Sequence, residues 1–145
     1  MSAAGEIVAI ETFIKANWTA TTIGYIGQKF TPVDNSMLLS VVPGDVFQGT
    51  IGGTQTRVDY LSVLQAQIFT AGGKGEAVAR GHAQTLITLL HGAILSASGA
   101  LITTPADAFV RFSPKDDHPR ISSVSHDAPF TIATVAAPFV RYEMI

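Results

Sequence analysis

Residues 56–95 read TRVDYLSVLQAQIFTAGGKGEAVARGHAQTLITLLHGAIL, and the hydrophobic period changes part-way along. Up to Ile68 the period is two. Val58, Tyr60, Leu64, Ala66 and Ile68 fall on one face, with Ser62 its only polar member. Arg57, Asp59, Leu61, Val63, Gln65, Gln67 and Phe69 fall on the other. A period of two with one apolar side predicts a strand covered on that side. Ala71-Gly-Gly-Lys-Gly75 then breaks the strand, because glycine accepts backbone angles that other residues resist. From Glu76 the period is 3.6. Ala79, Ala83, Leu86, Leu90 and Ala93 share one side of a helix, and Glu76, Arg80, Gln84 and His91 lie opposite. At 1.5 Å per residue this helix would run roughly 30 Å. The stretch predicts a helix laid on a sheet.

At 145 residues the chain has room for one domain with a real core. Charged residues make up only 14%, against about 25% in an ordinary globular domain. A free monomer usually solvates itself with charge, so this deficit suggests a surface covered by other subunits. A formal net charge of −2 gives no electrostatic reason to expect nucleic-acid binding, and no sequence-specific nucleic-acid partner is expected. The absence of cysteine excludes disulfides and thiolate metal sites, and fits a reducing compartment. No Lys, Arg, Asp or Glu occurs between Arg80 and Asp107. Gln84, His91, Gly92 and Ser96-Ala-Ser-Gly99 interrupt that run, which reads as a buried helix, a turn and a strand, with no membrane span. Glu6 and Glu11 stand where a signal peptide would carry a basic end and an apolar run.

Ahead of this stretch, residues 3–16 predict a first helix with Ile7, Ile10, Phe13 and Ile14 as its apolar arc, and Glu11 and Lys15 on the wet side. Trp18 would anchor it to the sheet. Ile23 and Tyr25 alternate in a short strand over residues 22–30, and residues 37–42 form another. Residues 43–55 look the least structured, with Gly44, Gly49, Gly52 and Gly53, and only Val46, Phe47 and Ile51 to pin them. Two readings stand open for them: a wide hairpin connection, or an arm that orders against a partner. After the helix, residues 100–103 and 108–112 predict two short strands, residues 113–119 a polar turn, residues 120–125 a weak strand and residues 130–140 a long closing strand. Pro129 and Pro138 suggest strand starts or sheet edges, since proline cannot donate to a ladder. The fold class is α+β: a mostly antiparallel sheet with an N-terminal helix and one long helix packed on it.

Little of this carries catalytic chemistry. Gly72-Gly-Lys-Gly75 precedes a helix, but a phosphate loop needs four residues between its first glycine and the Gly-Lys pair, then Ser or Thr. Asp116, Asp117 and His118, with His126 nearby, sit in a polar turn and do not converge as a hard cation requires. His82 and His91 lie nine apart on the helix, on nearly opposite sides; His82 would border the core and His91 face water. No nucleophile elbow, zinc-protease motif or closely spaced glycosidase-like carboxylate pair stands out. Ala77, Gly81, Thr85, Thr88 and Gly92 form a stripe along the long helix. Helical glycine is about 1 kcal/mol worse than alanine, so the stripe predicts another backbone close by, in this subunit or a neighbour.

The order of these elements resembles a known family. An N-terminal helix, Trp18 and the Ile23-Gly-Tyr25 strand lead to a glycine-rich loop and the strand Thr56-Arg-Val-Asp-Tyr-Leu-Ser-Val. The Ala71-Gly-Gly-Lys-Gly75 turn, the long helix and short strands ending in Ala137-Pro-Phe-Val-Arg-Tyr142 follow. This order is similar to that of the tail-terminator, or tail-completion, proteins of bacteriophages and prophages with long non-contractile tails. The family often has glycine early in the arginine-bearing strand, where Asp59 stands here. The resemblance implies a non-enzymatic virion protein without cofactors: a homo-oligomeric ring, commonly a hexamer. The ring caps the tail tube at its head-proximal end, stops tube growth, and joins a head-completion or neck protein, with DNA passing through its lumen. Assembly would take place in the host cytoplasm. The candidate interface residues are Phe47, Ile51, Arg57, Asp59, Gln65, Gln67, Gly81 and Gly92. Two rivals stand beside this reading: a small-ligand-binding or enzymatic α+β domain with a cleft between helix and sheet, and a host protein that dimerises through a sheet edge.

Overall fold

The computed structural model describes residues 3–25, 29–48, 57–104, 108–114 and 117–144. The described elements run α1 (Ala3–Asn17), β1 (Thr22–Tyr25), β2 (Ser36–Gln48), β3 (Arg57–Ala71), α2 (Glu76–Leu90), β4 (Ile94–Leu95), β5 (Val110–Phe112), β6 (Arg120–Asp127) and β7 (Phe130–Met144). The strands form one sheet in the order β1-β2-β3-β7-β5-β4, and β6 pairs with the first half of β7. All pairs are antiparallel except β1 with β2. This is an α+β fold, with both helices on one face of a mostly antiparallel sheet.

The central strand is the one its alternation predicts. Ser62, Leu64, Ala66, Ile68 and Thr70 are buried on its helix side. They meet Ala79, Ala83, Leu86 and Leu90 of α2 and Ala133, Val135, Ala137 and Phe139 of β7 in a single core that also takes in Ile10, Phe13 and Ile14 of α1. Trp18 is buried where α1 ends, and its indole N–H donates to Thr21 Oγ1 at 2.7 Å. Fully burying a side chain of this size contributes about 1.5–3 kcal/mol relative to leaving it exposed, so the layer contact dominates stability.

Four expectations are corrected. The helix ends at Leu90 after 15 residues, about 22 Å at 1.5 Å per residue. Gly92 follows at φ +67°, a left-handed cap that glycine adopts without strain, and the chain re-enters the sheet as β4. Residues 43–48 are not loop: they continue β2, with Val46, Phe47 and Gln48 opposite Tyr60, Asp59 and Val58. The ladder absorbs Pro43 and Gly44 through an irregularity between Pro43 and Val46. Residues 100–103 contribute only a single bridge, Leu101 to Leu95. Pro138 lies inside β7, at the point where that strand's outer edge passes from β6 to β5. Its carbonyl accepts from Ser113 N–H at 3.2 Å, and no β6 or β5 partner in the register needs the N–H it lacks.

Candidate assembly surface

The sheet divides into two ends. At one, β3 from Ser62 to Thr70 lies under the helices. At the other, residues 57–61 of β3, residues 46–48 of β2 and residues 140–144 of β7 continue past that covered segment. One cross-strand row spans this end: Val46 pairs with Tyr60, Tyr60 with Arg141, Arg141 with Val110, Val110 with Leu95, and Leu95 with Leu101. Paired residues share a face, so these six side chains line the helix side. The middle of the row is buried, whereas its two ends are among the most exposed large apolar residues: Val46 at 57% and Leu101 at 63%.

A buried charge cluster fixes the centre of that row. Arg141 Nε donates to Glu6 Oε2 of α1 at 2.7 Å, and its NH1 nitrogen donates to Glu143 Oε2 at 2.6 Å. The guanidinium carbon stands 4.0 Å from the centre of the Tyr60 ring, a cation–π contact. Burial works against the guanidinium charge, but the carboxylates of Glu143 and Glu6 outweigh it and hold the Arg141 pKa above its ordinary value. Glu6 and Arg141 are 5% and 4% exposed, so the pair clips α1 onto β7 out of contact with water. Sequence reasoning missed both. The signal was there: Glu6 lies one turn before Ile10 on the apolar arc, and Arg141 is the first charge after a neutral run that begins at residue 128.

The proposed interface residues do not form one patch. Arg57, Asp59, Gln65 and Gln67 lie on the sheet face away from the helices, as their alternation requires. Arg57 Nε donates to Asp59 Oδ1 at 3.0 Å and stacks 4.8 Å above Tyr142, so the two charges largely engage each other. Gln65 is half-buried and Gln67 exposed. Phe69, farther along this face, is covered by Phe30 at 5.7 Å and Phe130 at 5.9 Å. Phe47 pairs through its backbone with Asp59 on the hairpin. Ile51 lies outside the described residues. Gly81 and Gly92 belong to the helix layer. Among the described residues the expected close approach is absent, because a Cβ added at either glycine meets nothing within 4 Å. Gly92 is explained by its positive φ; Gly81 is exposed beside open space.

Two features bear on the small-ligand rival. A cleft of about 160 Å³ opens between α1 and β2, lined by Ile7, Ile10, Glu11, Leu39, Ser40, Val41 and Leu64. Ligand pockets usually measure about 300–1,000 Å³, so this one holds only a few heavy atoms. Burial raises the Glu11 pKa, and burial together with Glu11 raises that of Tyr25. Elsewhere Thr131 Oγ1, His126 and Glu76 stand in the order of a hydroxyl–imidazole–carboxylate relay, with His126 Nδ1 3.2 Å from Thr131 and Nε2 3.0 Å from Glu76. Thr131 is 0% exposed, so its hydroxyl cannot reach a substrate. Hydrogen bonds from His126, and then from Arg80, hold the Glu76 pKa below the usual carboxylate value. His118 is stacked on His91 at 4.4 Å, and Asp117 lies 3.9 Å from Arg120. Among the described residues no cluster of three or more His, Asp or Glu could hold a metal ion, and no helix is long and apolar enough to cross a membrane.

No family model matches the chain. No curated protein matches it either. A solved structure of a protein that carries no functional name superposes with a TM-score of 0.66 at 17% identity, over 97% of this chain and 96% of its own. At that identity the likeness establishes a shared fold across nearly the whole chain.

Proposed function

We propose that the protein is a structural component that assembles into a ring of identical subunits, in the manner of a phage tail terminator that caps the tube and joins the neck. The observation that carries this reading is the row ending in exposed Val46 and Leu101 at opposite edges of one sheet. Closed rings need two different, complementary patches on each subunit, and the two edges are such a pair. The sparse surface charge and the resemblance of element order support the same reading. In this picture the Arg57–Gln67 face, the hairpin end with Phe47 and the open stripe at Gly81 meet neighbours, tube or neck. The test is tube growth. Purified protein added to a polymerising tail-tube protein should stop elongation and leave a disc on one tube end in negative-stain images. Tubes that grow at the unperturbed rate, with bare ends, would refute the proposal.

A further inference from the structure

We propose that successive subunits join edge to edge, the strand segment at Leu101 of one subunit pairing antiparallel with the outer edge of β2 at Val46 of a second copy. This rests on the ring reading and specifies the contact that closes it. Two observations lead to it. Both edges are open at this end of the sheet: β1 covers β2 only from Ser36 to Leu39, and among the described residues no strand lies outside β2 beyond that or outside the Leu101 segment. Leu101 is also oriented to receive a strand. Ser96 N–H donates to Ala100 O and Ile102 N–H to Ile94 O, both at 2.9 Å. Those bonds flank Leu101, so its own N–H and C=O point away from β4, with no partner among the described residues. An edge with free backbone groups and an exposed apolar side chain is a template for a further strand.

Direction and chemistry agree with a second copy as the occupant. Each pairing along the row is antiparallel, so β2, β7 and β4 run one way and β3, β5 and the Leu101 segment the other. Rotation about a ring axis preserves the sense of any strand along that axis. The Leu101 segment of one subunit therefore meets β2 of the next in the antiparallel sense. The join would place Leu101 beside Val46 on the helix face and continue the same row into the neighbour. The described residues 100–104 carry no charge, and Asp45 is the only charge in residues 40–48, so no like-charge pair opposes the contact.

The cysteine-free sequence makes the test direct. The double variant Val46→Cys/Leu101→Cys, oxidised at assembling concentration, should give a non-reducing gel ladder that climbs to the ring size and collapses on reduction. Either single variant should give no ladder. Val46→Asp and Leu101→Asp, each at an exposed position, should keep the parent circular dichroism and lose assembly. A double variant that stays monomeric on the gel while the parent assembles would overturn this contact and leave the ring reading intact. Covalent dimers without higher rungs would overturn it in favour of a two-fold pair. Aspartate variants that assemble like the parent would overturn it as well. A parent that never assembles would remove both the contact and the ring.

Discussion

The two ends of β3 are built from the same alternation and differ in what covers them. From Ser62 to Thr70 every second side chain is buried, against α2 and β7. From Arg57 to Leu61 no residue is fully buried, although each pairs with β7 and Val58, Asp59 and Tyr60 pair with β2 as well. The difference shows that a strand paired with its neighbours can be extended past the helix that covers it. Backbone pairing keeps the extension in register, and the side chains are left for something else. In the described part of the extension the buried charged side chain is Arg141, held by Glu6 of α1 and by Glu143.

Breaking that anchor and truncating the core under α2 should have the largest effects. Removing one member of a buried ion pair costs about 3–5 kcal/mol, because the other charge stays buried without its partner. Glu6→Ala is expected near the low end, since Glu143 still holds Arg141, and chemical denaturation would measure it. A loss below about 1 kcal/mol, the scale of an exposed pair, would mean that α1 is not clipped to β7 in this way. Leu86→Ala probes the opposite end. Leu86 is 0% exposed between α2 and the sheet, and the expected cost is about 2–5 kcal/mol. Val46→Ser on the extension should change subunit stability by no more than about 0.5 kcal/mol. Equal costs for Leu86 and Val46 would erase the distinction between the two ends.

Two smaller effects sharpen it. Gly81 faces open space, so Gly81→Ala should stabilise the isolated subunit by about 0.5–1 kcal/mol through helix propensity. The same change weakens assembly if a neighbour's backbone approaches there, and comparison of melting temperature with oligomer mass separates the two. Glu11 gives the smallest effect, and one with a defined sign. Burial raises its folded-state pKa above the unfolded value, so the folded state takes up protons more readily. Its stabilising contribution is full below the unfolded carboxylate pKa and is lost as pH rises through the raised value. Glu11→Gln should therefore melt higher than the parent at neutral pH, and the two curves should converge under acid conditions.

Much of the fold was legible because single-element periodicity carried it. The alternation of β3, the 3.6-residue repeat of α2 and the arc of α1 each needed only neighbouring residues. What was not legible depended on partners distant in sequence. Residues 43–48 look like a loop by their Pro and Gly, yet pairing with β3 overrides that preference. Pro138 looks like an edge residue, and only the handover from β6 to β5 makes it tolerable inside β7. The candidate surface was legible in part. The face of Arg57, Asp59, Gln65 and Gln67 follows from alternation, and Val46 and Phe47 stood out as apolar residues among glycines. Leu101 gave no local signal. Its significance comes from standing at the end of a row that crosses five other strand positions.

The oligomeric mass of the purified full chain tests the central claim most directly. Native mass spectrometry across a concentration series should show a closed species of identical subunits, with a hexamer as the expected size, and few intermediates between it and the monomer. A single peak at the 15.3 kDa subunit mass up to the highest attainable concentration would contradict the account.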